Sequence, residues 1–130
     1  MIKPHGSDEL NPLFVYDSAE NEALQKEAET LPSIVVSSAT AANAVMMGAG
    51  YFNPLTGYMN KADALSVATD MKTTSGLFWP TPVLNLVQDA AGIKAGDRIA
   101  LKDHNVEGNP VVAVMHAGEV EEVSDEENKL

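Results

Sequence analysis

Residues 50–60, Gly50-Tyr51-Phe52-Asn53-Pro54-Leu55-Thr56-Gly57-Tyr58-Met59-Asn60, place two glycines, a proline and three aromatic rings within one short stretch. Glycine adopts backbone angles that other residues avoid, proline fixes its own φ and donates no N–H, and rings need a surface to pack on. No regular helix or strand accommodates that mixture, so the stretch predicts an ordered, packed loop. Tyr51, Phe52 and Tyr58 are expected to pack on their own domain, with contact to another domain as the alternative.

The flanking sequence reads as helices. Asp17 with Glu20 three residues on forms a capping box, and Leu24, Ala28 and Leu31 follow at i, i+4, i+7. Leu31-Pro32 should end that helix, and Ser33-Ile34-Val35-Val36-Ser37 reads as a short β-branched strand. Ser37 or Ser38 can cap a second helix over 39–47, apolar on most sides and so expected to be largely buried. Asn60 with Asp63 opens a third, with Ala64, Val67, Ala68 and Met71 on one face. The loop is thereby clamped between two helices.

After Thr73-Thr74-Ser75-Gly76 the period turns alternating, and strands are predicted over 78–87, 98–102 and 111–116. Pro80 and Pro82 cannot donate to a ladder and belong at a strand start or edge. Ile99 and Leu101 alternate with Arg98, Ala100 and Lys102, which describes a strand with one wet face. Helices first and short strands later indicate an α+β domain, a small open barrel in its second half.

The formal charge of −11 is unevenly spread. Residues 30–118 hold six acids against five bases, so nearly all the excess lies at the two ends. Residues 119–130 have the composition of an acidic linker or tail. Nucleic-acid binding rests on clustered lysine and arginine, and an anionic membrane surface demands the same, so both partners are disfavoured. The longest apolar run, 44–52, is far short of the ~20 residues that span a bilayer. The chain has no cysteine, which removes disulfides, thiolate metal sites and cysteine nucleophiles and suits a reducing, cytoplasmic setting.

Catalytic motifs are not found. There is no glycine-rich phosphate loop, no dinucleotide fingerprint and no Gly-x-Ser-x-Gly elbow. Arg98 is the sole arginine and is expected to pair with Asp97 or Asp103 on a solvated face. His5, His104 and His116 are too scattered for a metal motif. Asp103-His104 could be an oriented base, but both lie in the turn before Glu107-Gly108-Asn109-Pro110, where polar residues belong anyway, and the structural turn is the favoured reading. Trp79 and Phe78 read equally as core residues or as an exposed anchor. Met46, Met47, Met59, Met71 and Met115 are expected mainly to fill the core. No residue is assigned a catalytic, cofactor-binding or metal-binding role.

Taken together, Lys3-Pro4-His5-Gly6-Ser7-Asp8-Glu9-Leu10, Ser37-Ser38, Ala44-Val45-Met46-Met47-Gly48-Ala49-Gly50, the aromatic loop, Asp97-Arg98-Ile99-Ala100-Leu101 and Asn105-Val106-Glu107-Gly108-Asn109-Pro110 carry a resemblance. The chain resembles the N-terminal domain of the ATP sulfurylase (sulfate adenylyltransferase) family, closest to its sulfur-oxidising bacterial branch. Asn53 where the family loop usually has serine, and Tyr58 where it usually has phenylalanine, are mild departures.

The resemblance implies a PUA-like domain over 1–118: a small β-barrel with flanking helices in the N-terminal half. It further implies that 119–130 leads toward a catalytic domain not contained here. The family interconverts ATP and sulfate with adenylyl sulfate and pyrophosphate, using ATP and Mg. Its Gln-x-Arg-Asn, His-x-x-His and Gly-Arg-Asp-His segments do not occur in residues 1–130. The resemblance therefore implies a scaffold, inactive alone, whose partner is the catalytic domain of its own chain and which is compatible with a homo-oligomer. Because PUA-like barrels elsewhere bind RNA, a free-standing RNA-binding module is the alternative.

Overall fold

The computed structural model describes residues 2–88, 90 and 92–129. Each of its three helices starts where a side chain satisfies an otherwise unpaired backbone N–H. Asp17 Oδ1 accepts from the Glu20 N–H at 2.9 Å and opens α1 (Ser18–Ala28). Ser37 Oγ accepts from the Thr40 N–H at 3.2 Å and opens α2 (Ser38–Gly48). Asn60 Oδ1 accepts from the Asp63 N–H at 2.8 Å and opens α3 (Lys61–Asp70).

Three strands form one sheet in the order β1-β2-β3, with β1 at Ser33–Val36, β2 at Arg98–Asp103 and β3 at Val111–His116. β1 pairs parallel to β2, with Ile34 opposite Leu101. A parallel pair needs a long crossover, and here α2, the aromatic loop and α3 all lie within it. β3 pairs antiparallel to β2, with Ile99 opposite Met115, and the register slips at Leu101/Lys102. The architecture is α+β as expected. Among the described residues, however, the sheet is open rather than closed into a barrel, with β1 and β3 as its two edges.

Two apolar clusters fill the interior. Val36, Ala41, Ile99 and Leu101 form the first, at the sheet, while Met47, Val67, Trp79 and Val83 form the second, beneath the loop. Burying a valine, leucine or isoleucine fully contributes roughly 1.5–3 kcal/mol. Ile99, Leu101, Val36, Val67 and Val83 are each buried to that degree.

Several expectations need correction. Residues 78–87 are not a strand. Pro80 and Pro82 offer no N–H, and the segment bonds instead to scattered partners: Trp79 N–H to Met71 O, Met59 N–H to Val83 O, and Thr40 Oγ1 to Leu84 O. Only Lys72 and Phe78 form an isolated bridge among the described residues. Ala100, assigned to a wet strand face, is fully buried. Arg98 on that face is half-buried and tied to Glu27 of α1.

The predicted apolar face of α3 is also shorter. Ala64 and Val67 are buried, but Ala68 is exposed, and Met71 ends the helix in a left-handed conformation (φ 54°) with its side chain in solvent. α2 is less enclosed than its composition suggested, because Val45 and Met46 face outward.

Candidate functional site

Gly50, at φ 85°, ends α2 in a Schellman arrangement: its N–H donates to Met47 O at 3.1 Å, and the Tyr51 N–H donates to Met46 O at 3.0 Å. The chain then turns through a cis Asn53–Pro54 peptide. Phe52 points inward and meets Trp79 edge-to-face at 5.6 Å between ring centres. Tyr58 packs against both apolar clusters, and its hydroxyl donates to Thr40 O at 2.6 Å. Burial pushes the Tyr58 hydroxyl pKa up from 10.0 to about 12. Tyr51 is 77 % exposed. Two of the three rings therefore pack on their own domain, and the third is presented to solvent.

Asn53 and Tyr58, read from sequence as mild departures, both make long-range bonds. Asn53 is buried and acts as a hub. Its Oδ1 accepts from the Asn11 N–H at 3.1 Å, and its Nδ2 donates to His5 O at 3.1 Å and Ser7 Oγ at 2.7 Å. One amide thus fastens the N-terminal segment to the loop. Nothing local to Asn53 signals this, because its partners lie more than forty residues away in sequence.

Beside the loop runs a groove of about 1060 Å³, lined by Leu24 and Ala28 of α1, Ile34 and Ile99 of the sheet, and Val120 and Val123 of the acidic segment. Asn85 also lines it, with an Oδ1 that is buried and accepts no hydrogen bond among the described residues. The acidic segment itself lies against the body of the domain. Lys61, at the start of α3, contacts Glu121, Glu122 and Glu127.

The remaining polar candidates close turns or tie distant segments together. Arg98 pairs with Glu27 rather than with Asp97 or Asp103. Those two carboxylates are already engaged in turns, Asp97 accepting from the Lys94 N–H and Asp103 from the Asn105 N–H, each at 2.9 Å. Asp103 therefore does not orient His104, whose Nδ1 donates to Val36 O at 3.0 Å. His5 Nε2 donates to Phe78 O at 2.8 Å. Trp79 belongs to the core and Phe78 lies exposed, which separates two residues the sequence could not. Met47 is buried, whereas Met46 and Met71 reach solvent. Among the described residues no three histidine or carboxylate side chains converge as a metal site.

Capped helices feeding an open mixed sheet, with a packed aromatic loop between them, define an α+β module whose polar groups mostly close turns and fasten segments. The chain belongs to the PUA-like domain family, whose pattern matches residues 2–129. It is similar to curated proteins named sulfate adenylyltransferase. The one from Alcanivorax borkumensis is 61% identical over 98% of this chain, and the one from Allochromatium vinosum is 58% identical over 100% of it. That from the Riftia pachyptila sulfur-oxidizing endosymbiont is 54% identical over 98%. The chain spans about a third of the length of these relatives, 32%, 33% and 29% respectively. Among solved structures it is similar to the hexameric APS kinase from Thiobacillus denitrificans. That match has a TM-score of 0.76 and 29% identity, and covers 96% of this chain and 24% of the other.

Proposed function

We propose that this chain is the N-terminal structural module of a sulfate adenylyltransferase, spanning 1–118, with 119–130 leading on to the catalytic domain. The observation that carries this reading is the match itself: identities up to 61% run over nearly the whole chain but over only about a third of each relative. The whole enzyme would interconvert ATP and sulfate with adenylyl sulfate and pyrophosphate, using ATP and Mg, in the cytoplasm. Stabilising charge on transferring phosphoryl oxygens requires preplaced cations. This chain has one arginine, and that side chain is paired with Glu27.

The module's role is then to scaffold the catalytic domain. Tyr51, exposed on a rigid loop, is suited to an interdomain contact. Likeness to a chain of a hexameric kinase supports an oligomeric setting for the whole protein. Among the described residues no helix is long and apolar enough to cross a membrane.

The test is sulfate-dependent pyrophosphate release by the purified 130-residue chain and by a full-length version. Activity confined to the full-length protein is expected, and turnover by residues 1–130 alone would overturn the scaffold reading.

A further inference from the structure

The acidic segment, which by composition reads as a tail, is held at one point. The Lys61 backbone N–H donates to Glu121 Oε2 at 2.8 Å, and Lys61 Nζ donates to Glu122 O at 2.8 Å and contacts Glu127 Oε1 at 2.8 Å. Glu127 Oε1 also accepts from the Ser124 N–H, while Ser124 Oγ accepts from the Glu127 N–H, each at 3.2 Å. These reciprocal bonds close a short 3-10 turn at Glu127–Lys129. The Glu121 carboxylate sits at the N-terminus of α3, where the helix dipole favours negative charge.

Apolar packing contributes little to this attachment, because Val120 and Val123 remain 54% and 42% exposed. Six acids between 119 and 127 repel one another, and Lys61 is the body's cation set among them. Val120 and Val123 nevertheless form one wall of the apolar groove. We propose that Lys61 anchors a releasable strap: residues 119–129 close one side of the groove, and losing the Lys61 charge frees the strap and opens that side.

Glu-specific proteolysis of the 130-residue chain, with cleavage sites mapped by mass spectrometry, tests this. Cleavage of a locally opened segment follows its open population. Lys61→Gln is expected to speed cleavage at Glu121 and Glu122 by about tenfold. Wild-type chain in 1 M salt, where the screening length is about 3 Å, should move the same way. Lys72→Gln, the same charge change away from the strap, should leave the rate unchanged. If Lys61→Gln proves unfolded by circular dichroism, Glu127→Gln, which leaves α3 untouched, takes its place with the same expectation. Wild-type cleavage rates in Lys61→Gln, or in Glu127→Gln where that variant stands in, or equal acceleration by Lys72→Gln, would overturn the proposal.

Discussion

The hydroxyl of Tyr58 donates to the carbonyl oxygen of Thr40 at 2.6 Å, joining the loop to the first turn of α2 where the two apolar clusters meet. Removing it with Tyr58→Phe should cost about 1 kcal/mol at neutral pH, the net worth of a typical hydrogen bond. A pH signature should accompany that loss. Burial raises the folded-state pKa from 10.0 to about 12, so the unfolded chain gives up this proton first as pH rises. The associated stability is complete below the ordinary tyrosine value and is lost as pH climbs through the folded one. Urea unfolding across the alkaline range should show a flatter decline in Tyr58→Phe than in wild type, and identical slopes would refute the assignment.

The core ring beneath the loop and the loop's exposed ring should differ sharply in their effect on stability. Trp79 is buried against Met47, Val67 and Val83 and receives the edge of Phe52. Trp79→Ala should therefore cost about 3–5 kcal/mol. Tyr51 is 77% exposed, and Tyr51→Ala should stay within about 0.5 kcal/mol of wild type. Thermal melts of the isolated chain decide this, and comparable losses from both substitutions would show that Tyr51 packs inward.

Gly48 and Phe14 should be energetically coupled. A Cβ placed on Gly48 would clash with Cε1 and Cδ1 of the Phe14 ring. The Leu13 and Phe14 N–H groups both donate to Gly48 O, at 2.9 and 3.0 Å, which holds the main chain that carries the ring beside the helix end. Gly48→Ala should thus destabilise by about 1–3 kcal/mol through overpacking. In a Phe14→Ala background the ring is gone, and the same change should stabilise by about 0.5–1 kcal/mol, because alanine suits a helix better than glycine. A double-mutant cycle without that reversal of sign would place Phe14 elsewhere.

What the sequence discloses about this fold is what depends on neighbours along the chain. Asp17, Ser37 and Asn60 cap helices through bonds spanning three residues, so their roles are readable from spacing alone. β2 and β3 follow from alternation and the turn at Gly108-Asn109-Pro110. Residues 78–87 misled because their alternation is real while their hydrogen-bond partners, Met59, Met71 and Thr40, are set by tertiary packing. The same limit hid the Arg98–Glu27 pair, the Asn53 hub and the Lys61 clasp, each joining residues more than forty positions apart. Of the aromatic loop, its order and the inward packing of Phe52 and Tyr58 were legible. Which ring would face solvent was not, since that choice depends on where Trp79 lies.

Glu127 provides the last test, since its contacts predict how the acidic segment responds to acid. Its carboxyl pKa is held below the usual 4.5, chiefly by the hydrogen bond from the Lys61 ammonium and next by the Ser124 N–H. A depressed folded-state pKa means that the contact stabilises above the ordinary glutamate value and fades as pH falls through the lower folded one. The same segment meets Lys61 at two further points, the Glu121 carboxylate accepting from its N–H and the Glu122 carbonyl oxygen from its Nζ. Hydrogen exchange at the Asn128 and Lys129 amides, which donate to Ser124 O and Glu126 O, should therefore stay protected from neutral pH down to the ordinary glutamate range and lose protection below it. Exchange rates divided by those of Glu127→Gln cancel the intrinsic pH dependence of amide chemistry. In that ratio the protection should disappear with acid. A ratio near one at neutral pH would mean that Glu127 holds nothing in place.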